Sequence, residues 1–253
     1  MTESHTRIRD HARRIVAETV GSALLLAAIV GSGIMAERLA GGNLAIALLA
    51  NTIATGAALV ALILTFGPVS GAHFNPAVTI ADASQGGISW RLVPGYVGGQ
   101  IAGACVGVLA AHVMFGERLF MLSLHARSGP PQMFSEFVAT FGLLSVIWGC
   151  SRRRSPTVPF AVAAYITAAY WFTASTSFAN PAVTIARSLT DTFAGIRPAD
   201  APGFIAAQFL GAAAATLLFR WLVPALPDTA DEVIVPHDQA RIAVRESPER
   251  SPS

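Results

Sequence analysis

Six runs of nearly unbroken apolar residues alternate with short polar segments along this chain, at residues 15–35, 44–66, 93–115, 133–150, 158–176 and 204–223. Each holds roughly 18 to 23 residues, the length of a helix that crosses a bilayer core, so the pattern predicts six membrane spans. Charge gathers between the runs and at the two ends, whereas a soluble domain would spread it along every helix. Glu18 in the first run and Glu136 in the fourth are the conspicuous exceptions. The first run is too long for a secretory signal, carries Glu18 within it and lacks a small-residue cleavage site, so the N-terminus is expected to be retained.

Composition agrees with the pattern: 53% of residues are hydrophobic and 13% charged. A net charge of +2 points to no polyanionic partner, and nucleic acid is not expected as a ligand. The chain has no lysine, so orientation rests on arginine. With alternating spans, Arg7, Arg9, Arg13, Arg14, Arg91, Arg152, Arg153, Arg154 and Arg220 fall on one side. Arg38, Arg118, Arg127, Arg187 and Arg197 fall on the other. The richer side, with both termini, is expected to be cytoplasmic. The triplet Arg152–Arg154 is read as a topology anchor rather than a nucleic-acid or headgroup patch. Cys105 and Cys150 lie inside spans and define neither a disulfide framework nor a metal site. No cofactor is expected. Residues 224–253 form a polar tail expected to be disordered, and nothing in it singles out Ser247 or Ser251 for regulation.

The hexapeptide Asn-Pro-Ala-Val-Thr-Ile occurs twice, at residues 75–80 and 180–185. Asn caps orphan N–H groups at a helix start, and Pro at the first helical position has no N–H to leave unsatisfied. Short helices are therefore predicted to begin at Asn75-Pro76-Ala77 and Asn180-Pro181-Ala182. A helix from Pro76 to about Ser84 is roughly 14 Å long, near half of a ~30 Å hydrocarbon core. Two such half-helices, tip to tip, cross the core once. Residues 67–74 and 175–179 must then run at membrane depth without being helical, which is tolerated where backbone is buried in protein or lines a wet cavity.

The repetition reaches further. Ala17-Glu18 has a counterpart in Ser135-Glu136, and residues 95–100, ending in Gln100, resemble residues 203–208, ending in Gln208. Three spans and one half-helix form a unit used twice, at about 15–115 and 133–223. An odd number of spans inverts the second copy. The positive dipole ends of the half-helices then meet at mid-membrane. Gly99, Gly103 and Gly107, spaced by four, allow close helix approach in the third span.

The doubled Asn-Pro-Ala, the preceding Ser70-Gly71-Ala72-His73-Phe74, and the pair Glu18 and Glu136 resemble the major intrinsic protein family, the aquaporins and aquaglyceroporins. The resemblance implies an all-α membrane bundle of six spans and two re-entrant half-helices, with inverted repeats. It also implies a homotetramer with one pore per subunit, and passive passage of small uncharged solutes rather than catalysis. Asn75 and Asn180 match the family's central pair. Each side-chain oxygen can cap its own half-helix and leave amide N–H to donate to a solute.

An intramembrane carboxylate is a functional candidate, and a proton-carrying role for Glu18 or Glu136 in a coupled transporter stays open beside a structural one, in which each holds a re-entrant loop through backbone N–H groups. The family's matching glutamates favour the structural reading. His73 is read as a loop or vestibule residue, since no second metal ligand lies at a useful spacing. His112 and His125 have no motif around them.

The family builds its constriction from four positions, matched without gaps to Thr55, Ala168, Ser177 and Val183. Ala168 is the least anchored of these, with Thr167 and Ala169 one residue away. The fourth position is nearly always arginine in the family, and here it is Val183. A quartet of Thr, Ala, Ser and Val predicts a wider opening with a lower electrostatic barrier. Arg187, one turn beyond Val183, either places a guanidinium in the outer vestibule or snorkels to the interface or pairs with Asp191. The wording of residues 177–187 and 191–196 is similar to a bacterial subgroup associated with arsenic resistance. It implies permeation of arsenite and methylated arsenicals, with glycerol and water possible. Three functions are thus in view: a polyol or metalloid channel, a mainly water-conducting channel, and a proton-coupled transporter.

Overall fold

The computed structural model describes residues 3–151 and 156–223; the triplet Arg152–Arg154 and the tail from residue 224, with Ser247 and Ser251, lie outside the described residues. Among the described residues there are eight α-helices and no strand. They are α1 (Glu3–Leu39), α2 (Leu44–Ser70), α3 (Pro76–Gln85), α4 (Val93–Phe115), α5 (Pro130–Ser151), α6 (Val158–Phe172), α7 (Pro181–Arg187) and α8 (Ala201–Leu222). The order of two long helices, a short one and a long one occurs twice, as the inverted-repeat architecture requires.

Five helices, α1, α2, α4, α5 and α8, are long and apolar enough to cross a membrane. The predicted fifth span is shorter than expected: α6 has 15 residues, about 22 Å of helix. It stops at Phe172, and the chain leaves it for a non-helical path four residues before the anticipated end at Thr176. The opposite happens at α2, which continues through Gly67 and Pro68 to Ser70. The first non-helical stretch therefore shrinks to residues 71–75, entered through Gly71 at φ 86° with its N–H on the Gly67 carbonyl. Helix α1 already begins at Glu3, twelve residues before the expected span. The half-helices also differ in length, with 10 residues in α3 and 7 in α7.

Within the first repeat α1 packs on α2 and α4; within the second α5 packs on α6 and α8; α2 meets α6, and α3 meets α7. The tightest crossings need glycine. A Cβ at Gly103 of α4 would lie 2.1 Å from the Thr19 carbonyl oxygen of α1. Its counterpart Gly211 of α8 would meet the Phe137 carbonyl of α5 at 2.4 Å. The glycine row of the third span thus serves a helix pair inside the subunit, where small residues let backbones touch without a hydrophobic driving force. Gly103→Val is expected to reduce the yield of assembled protein to a small fraction of wild type, read by monodisperse peak area in detergent, since the overlap is with backbone that cannot move aside.

The core between the helices is filled by Leu26, Ile63, Leu144, Ile147, Trp148 and Ile196. Outward-facing Leu24, Leu49, Val106, Leu210 and Leu217 remain exposed, as they must for contact with lipid. Trp90, Trp171 and Trp221 are exposed at or beside helix ends, the depth at which amphipathic rings favour a membrane interface.

Candidate functional site

Each half-helix opens as its sequence dictates. Asn75 Oδ1 accepts from Ala77 N at 2.9 Å, and Asn180 Oδ1 accepts from Ala182 N at 2.9 Å and Val183 N at 3.3 Å. Each Asn then donates across to the other repeat. Asn75 Nδ2 bonds the Ala179 carbonyl and Asn180 Nδ2 the Phe74 carbonyl, both at 2.8 Å. One of the two N–H groups of each amide is thereby used, not left entirely open as the sequence reading supposed. The two helix N-termini face one another through these bonds.

The segments that deliver the asparagines are bent by residues that are not glycine. Ala72 and Phe74 lie at φ 50° and 49°, and the matching Ser177 and Ala179 at 51° and 49°. Left-handed conformations of this kind cost about 1–3 kcal/mol each unless the surroundings enforce them. The enforcement comes from the two buried carboxylates. Glu18 accepts from His73 N at 3.0 Å and Phe74 N at 2.7 Å, and also from Ser70 Oγ and Gln100 Nε2. Glu136 accepts from Phe178 N and Ala179 N, both at 2.8 Å, and from Gln208 Nε2 at 2.6 Å. Gln100 and Gln208 each also donate to the threonine of the neighbouring half-helix, Thr79 and Thr184. The two backbone N–H groups and the glutamine repeat from one half to the other, whereas the Ser70 contact to Glu18 has no counterpart at Glu136.

A cavity runs past both asparagines. It offers about 60 Å³ to the centres of water-sized molecules; at roughly 10–15 Å³ per water, a short file of molecules fits. Thr55, Ser177 and Val183 line it, as does His73. Ala168 does not: it is exposed on the far side of α6, and Val162, Ile166 and Tyr170 of that helix face the cavity instead. The gapless count from Asn180 does not show which face of α6 turns to the cavity, and that face is the one carrying residues 162, 166 and 170. Tyr170 Oη lies 3.4 Å from Thr55 Oγ1, so a bulky hydroxylated ring stands where a quartet of small side chains was expected. The spacing of 162, 166 and 170 is a helical face that the sequence already contained.

Arg187 is buried and lines the same cavity. Its guanidinium carbon lies 3.5 Å from the centre of the Phe178 ring, and its Nε donates to the Ala194 carbonyl. It neither snorkels nor pairs with Asp191, whose carboxylate accepts instead from Leu124 N at 2.8 Å. Arg127, from the connection between α4 and α5, approaches the same ring at 5.2 Å and donates to the carbonyls of Gly195 and Ser175. Burial holds its guanidinium below the usual arginine pKa, an effect partly countered by the Glu136 charge. At the other end, His73 Nδ1 lies 3.2 Å from Thr79 Oγ1, and His73 Nε2 lies 3.6 Å from Asp82 Oδ2. Sequence alone does not assign Tyr170, Phe178, Arg127 or Asp82 to this site. Asp82 stands at the same offset from Asn75 as Arg187 does from Asn180, so aligning the repeats past the hexapeptide would have found it.

A multi-pass helical protein in which two asparagine-capped half-helices abut inside a bundle, beside a cavity that both asparagines line, is a membrane channel for small neutral solutes. The chain belongs to the major intrinsic protein family, whose profile matches residues 5–157. It is 55% identical over 219 residues to the aquaglyceroporin AqpS of Rhizobium meliloti (strain 1021), covering 86% of this chain and 94% of that one. It is 32% identical over 181 residues to the aquaporin NIP1-3 of Oryza sativa subsp. japonica, covering 69% and 62% of the two chains. The X-ray structure of the aquaglyceroporin from Plasmodium falciparum superposes with a TM-score of 0.68 at 18% identity, over 85% of this chain and 98% of that one, which bears on the fold. The protein is a passive channel and not an enzyme.

Proposed function

We propose that the chain passes uncharged polyhydroxylated solutes, namely arsenite, methylated arsenicals and glycerol-like polyols, through a constriction formed by Thr55, Tyr170, Ser177 and Val183. The observation that carries this reading is Val183 on the cavity wall, three residues after Asn180, where the family's constriction arginine belongs. Valine leaves room and an apolar wall. Arsenous acid at neutral pH is an uncharged trihydroxide and displays three hydroxyls as glycerol does. The remaining N–H of Asn75 and of Asn180 donates to a passing oxygen, while Glu18, Glu136 and the His73 backbone hold the loops that carry them. The channel sits in the inner membrane with both termini cytoplasmic and functions as a homotetramer with one pore per subunit.

A mainly water-conducting channel is the second reading, favoured by the Tyr170 hydroxyl across from Thr55 and by the small cavity volume. Swelling of reconstituted vesicles in a water gradient, compared with uptake of glycerol and arsenite, decides between them. Solute uptake no faster than in empty vesicles, beside normal water flux, would reject the first. A proton-coupled transporter is disfavoured because Glu18 accepts four hydrogen bonds and Glu136 three. Collapsing a proton gradient should leave flux unaltered.

Asn180→Asp is expected to lower neutral-solute flux by about tenfold or more, since a carboxylate loses both amide donors and its bond to the Phe74 carbonyl. Stopped-flow light scattering on vesicles matched for protein content checks this, and undiminished flux would remove Asn180 from the central role.

A further inference from the structure

The repeats place opposite charges at equivalent positions. Seven residues after its capping asparagine, the first half-helix carries Asp82 and the second carries Arg187. Two residues before the asparagine stand His73 and Phe178. At one mouth the imidazole therefore faces a carboxylate; at the other the phenyl ring faces a guanidinium. The latter pairing has three features that a merely space-filling arginine would lack. The Arg187 guanidinium carbon lies 3.5 Å from the centre of an aromatic ring, a contact favoured by the ring quadrupole and stronger when desolvated. A second guanidinium, that of Arg127, approaches the same ring, so positive charge is concentrated rather than dispersed. Lastly, Arg187 Nη1 is buried without a hydrogen-bond partner, although the side chain borders the cavity. A guanidinium nitrogen in that state is a donor in want of an acceptor.

We infer that Arg187, held on Phe178 and reinforced by Arg127, is the cation barrier and oxygen-orienting donor of this pore, displaced one helical turn from position 183. The inference rests on the reading of this cavity as the solute path and deepens it. Two tasks that an arginine at 183 would perform together are separated here. Size is set by Val183 with Thr55 and Tyr170, and charge is set one turn outward. An approaching sodium ion or hydronium meets the Arg187 guanidinium on the cavity wall, with the charge of Arg127 held nearby on the same ring, in a poorly screened environment. A neutral solute offers its oxygen to Arg187 Nη1 and passes on to a ring that no cation narrows. The solute class this favours is uncharged and rich in hydroxyl acceptors.

The test uses the full-length protein in liposomes, with proton and sodium leak measured against water flux in the same vesicles, so the readout does not depend on which larger solute is carried. Arg187→Met is expected to raise the ratio of ion leak to water flux by about tenfold or more. Val183→Arg/Arg187→Met should bring that ratio back toward wild type, because the charge returns to the path one turn inward. Arg187→Gln, which keeps a donor for the Ala194 carbonyl, serves if the methionine variant does not assemble, and should leak as well. An unchanged ratio in whichever of these two neutral variants assembles overturns the inference. Failure of the wild type to carry glycerol or arsenite would instead reject the solute reading, and leave the leak comparison valid.

Discussion

Channels carrying Glu18→Leu are expected to give almost no assembled protein, and those carrying Glu136→Leu little more. Leucine fills much of the volume but accepts nothing. Removing the Glu18 carboxylate leaves His73 N and Phe74 N without an acceptor in a buried site, and takes one acceptor each from Ser70 Oγ and Gln100 Nε2. Each orphaned donor costs about 1–3 kcal/mol, so two stranded amides and two weakened side-chain donors remove a large part of the stability of an ordinary domain, about 5–15 kcal/mol. The loss falls on Phe74, whose φ of 49° is already unfavourable, so the loop has nothing left to hold it in shape. Glu18→Gln keeps one acceptor and should retain a lower but measurable yield. Size-exclusion profiles and thermal midpoints in detergent check both variants. Normal yield with a newly lost proton dependence of flux would revive the coupled-transporter reading.

Val183→Arg is expected to cut arsenite and glycerol flux by about tenfold or more while water flux falls far less. The new side chain would enter the cavity opposite Thr55 and Tyr170. It would narrow the path and supply donors that suit a single water better than a trihydroxide. Because Arg187 lies one turn away, the two guanidiniums would repel, and the added group is driven toward the Thr55 side. Thr55→Phe should act in the same direction, and the pair together should nearly exclude the larger solutes. Parallel swelling and uptake measurements on protein of equal abundance provide the check; an unaltered ratio of arsenite to water permeability would show that Val183 is not at the narrowest point.

Much of this architecture was legible because it is periodic or doubled. Apolar runs marked the spans, Asn-Pro marked both half-helix starts, and the matching of Glu18 with Glu136 offered loop support as one of two roles, while the part of Gln100 and Gln208 emerged only from the structure. What stayed hidden depended on chain that is neither periodic nor repeated. Ala168 was misplaced because a residue count from Asn180 does not show which face of α6 turns to the cavity. Arg127 comes from a connection with no partner in the other repeat, so nothing in the sequence tied it to Phe178. Arg187 illustrates a different difficulty: spacing put it on the face of Val183, but whether a terminal arginine turns inward depends on an aromatic surface and a carbonyl being there to receive it. Here Phe178 and Ala194 receive it.

The crossed bonds from Asn75 to the Ala179 carbonyl and from Asn180 to the Phe74 carbonyl also impose a schedule on biosynthesis. A ribosome adding about 5–20 residues per second needs roughly 5–20 s to travel from the first asparagine to the second. During that interval the N-terminal half is already committed to the bilayer while its amide and its carbonyl have no mates. It behaves as one half of a two-fold dimer awaiting a partner that is still attached to it and still being made. The crossed bonds therefore form late, after both asparagines have been made.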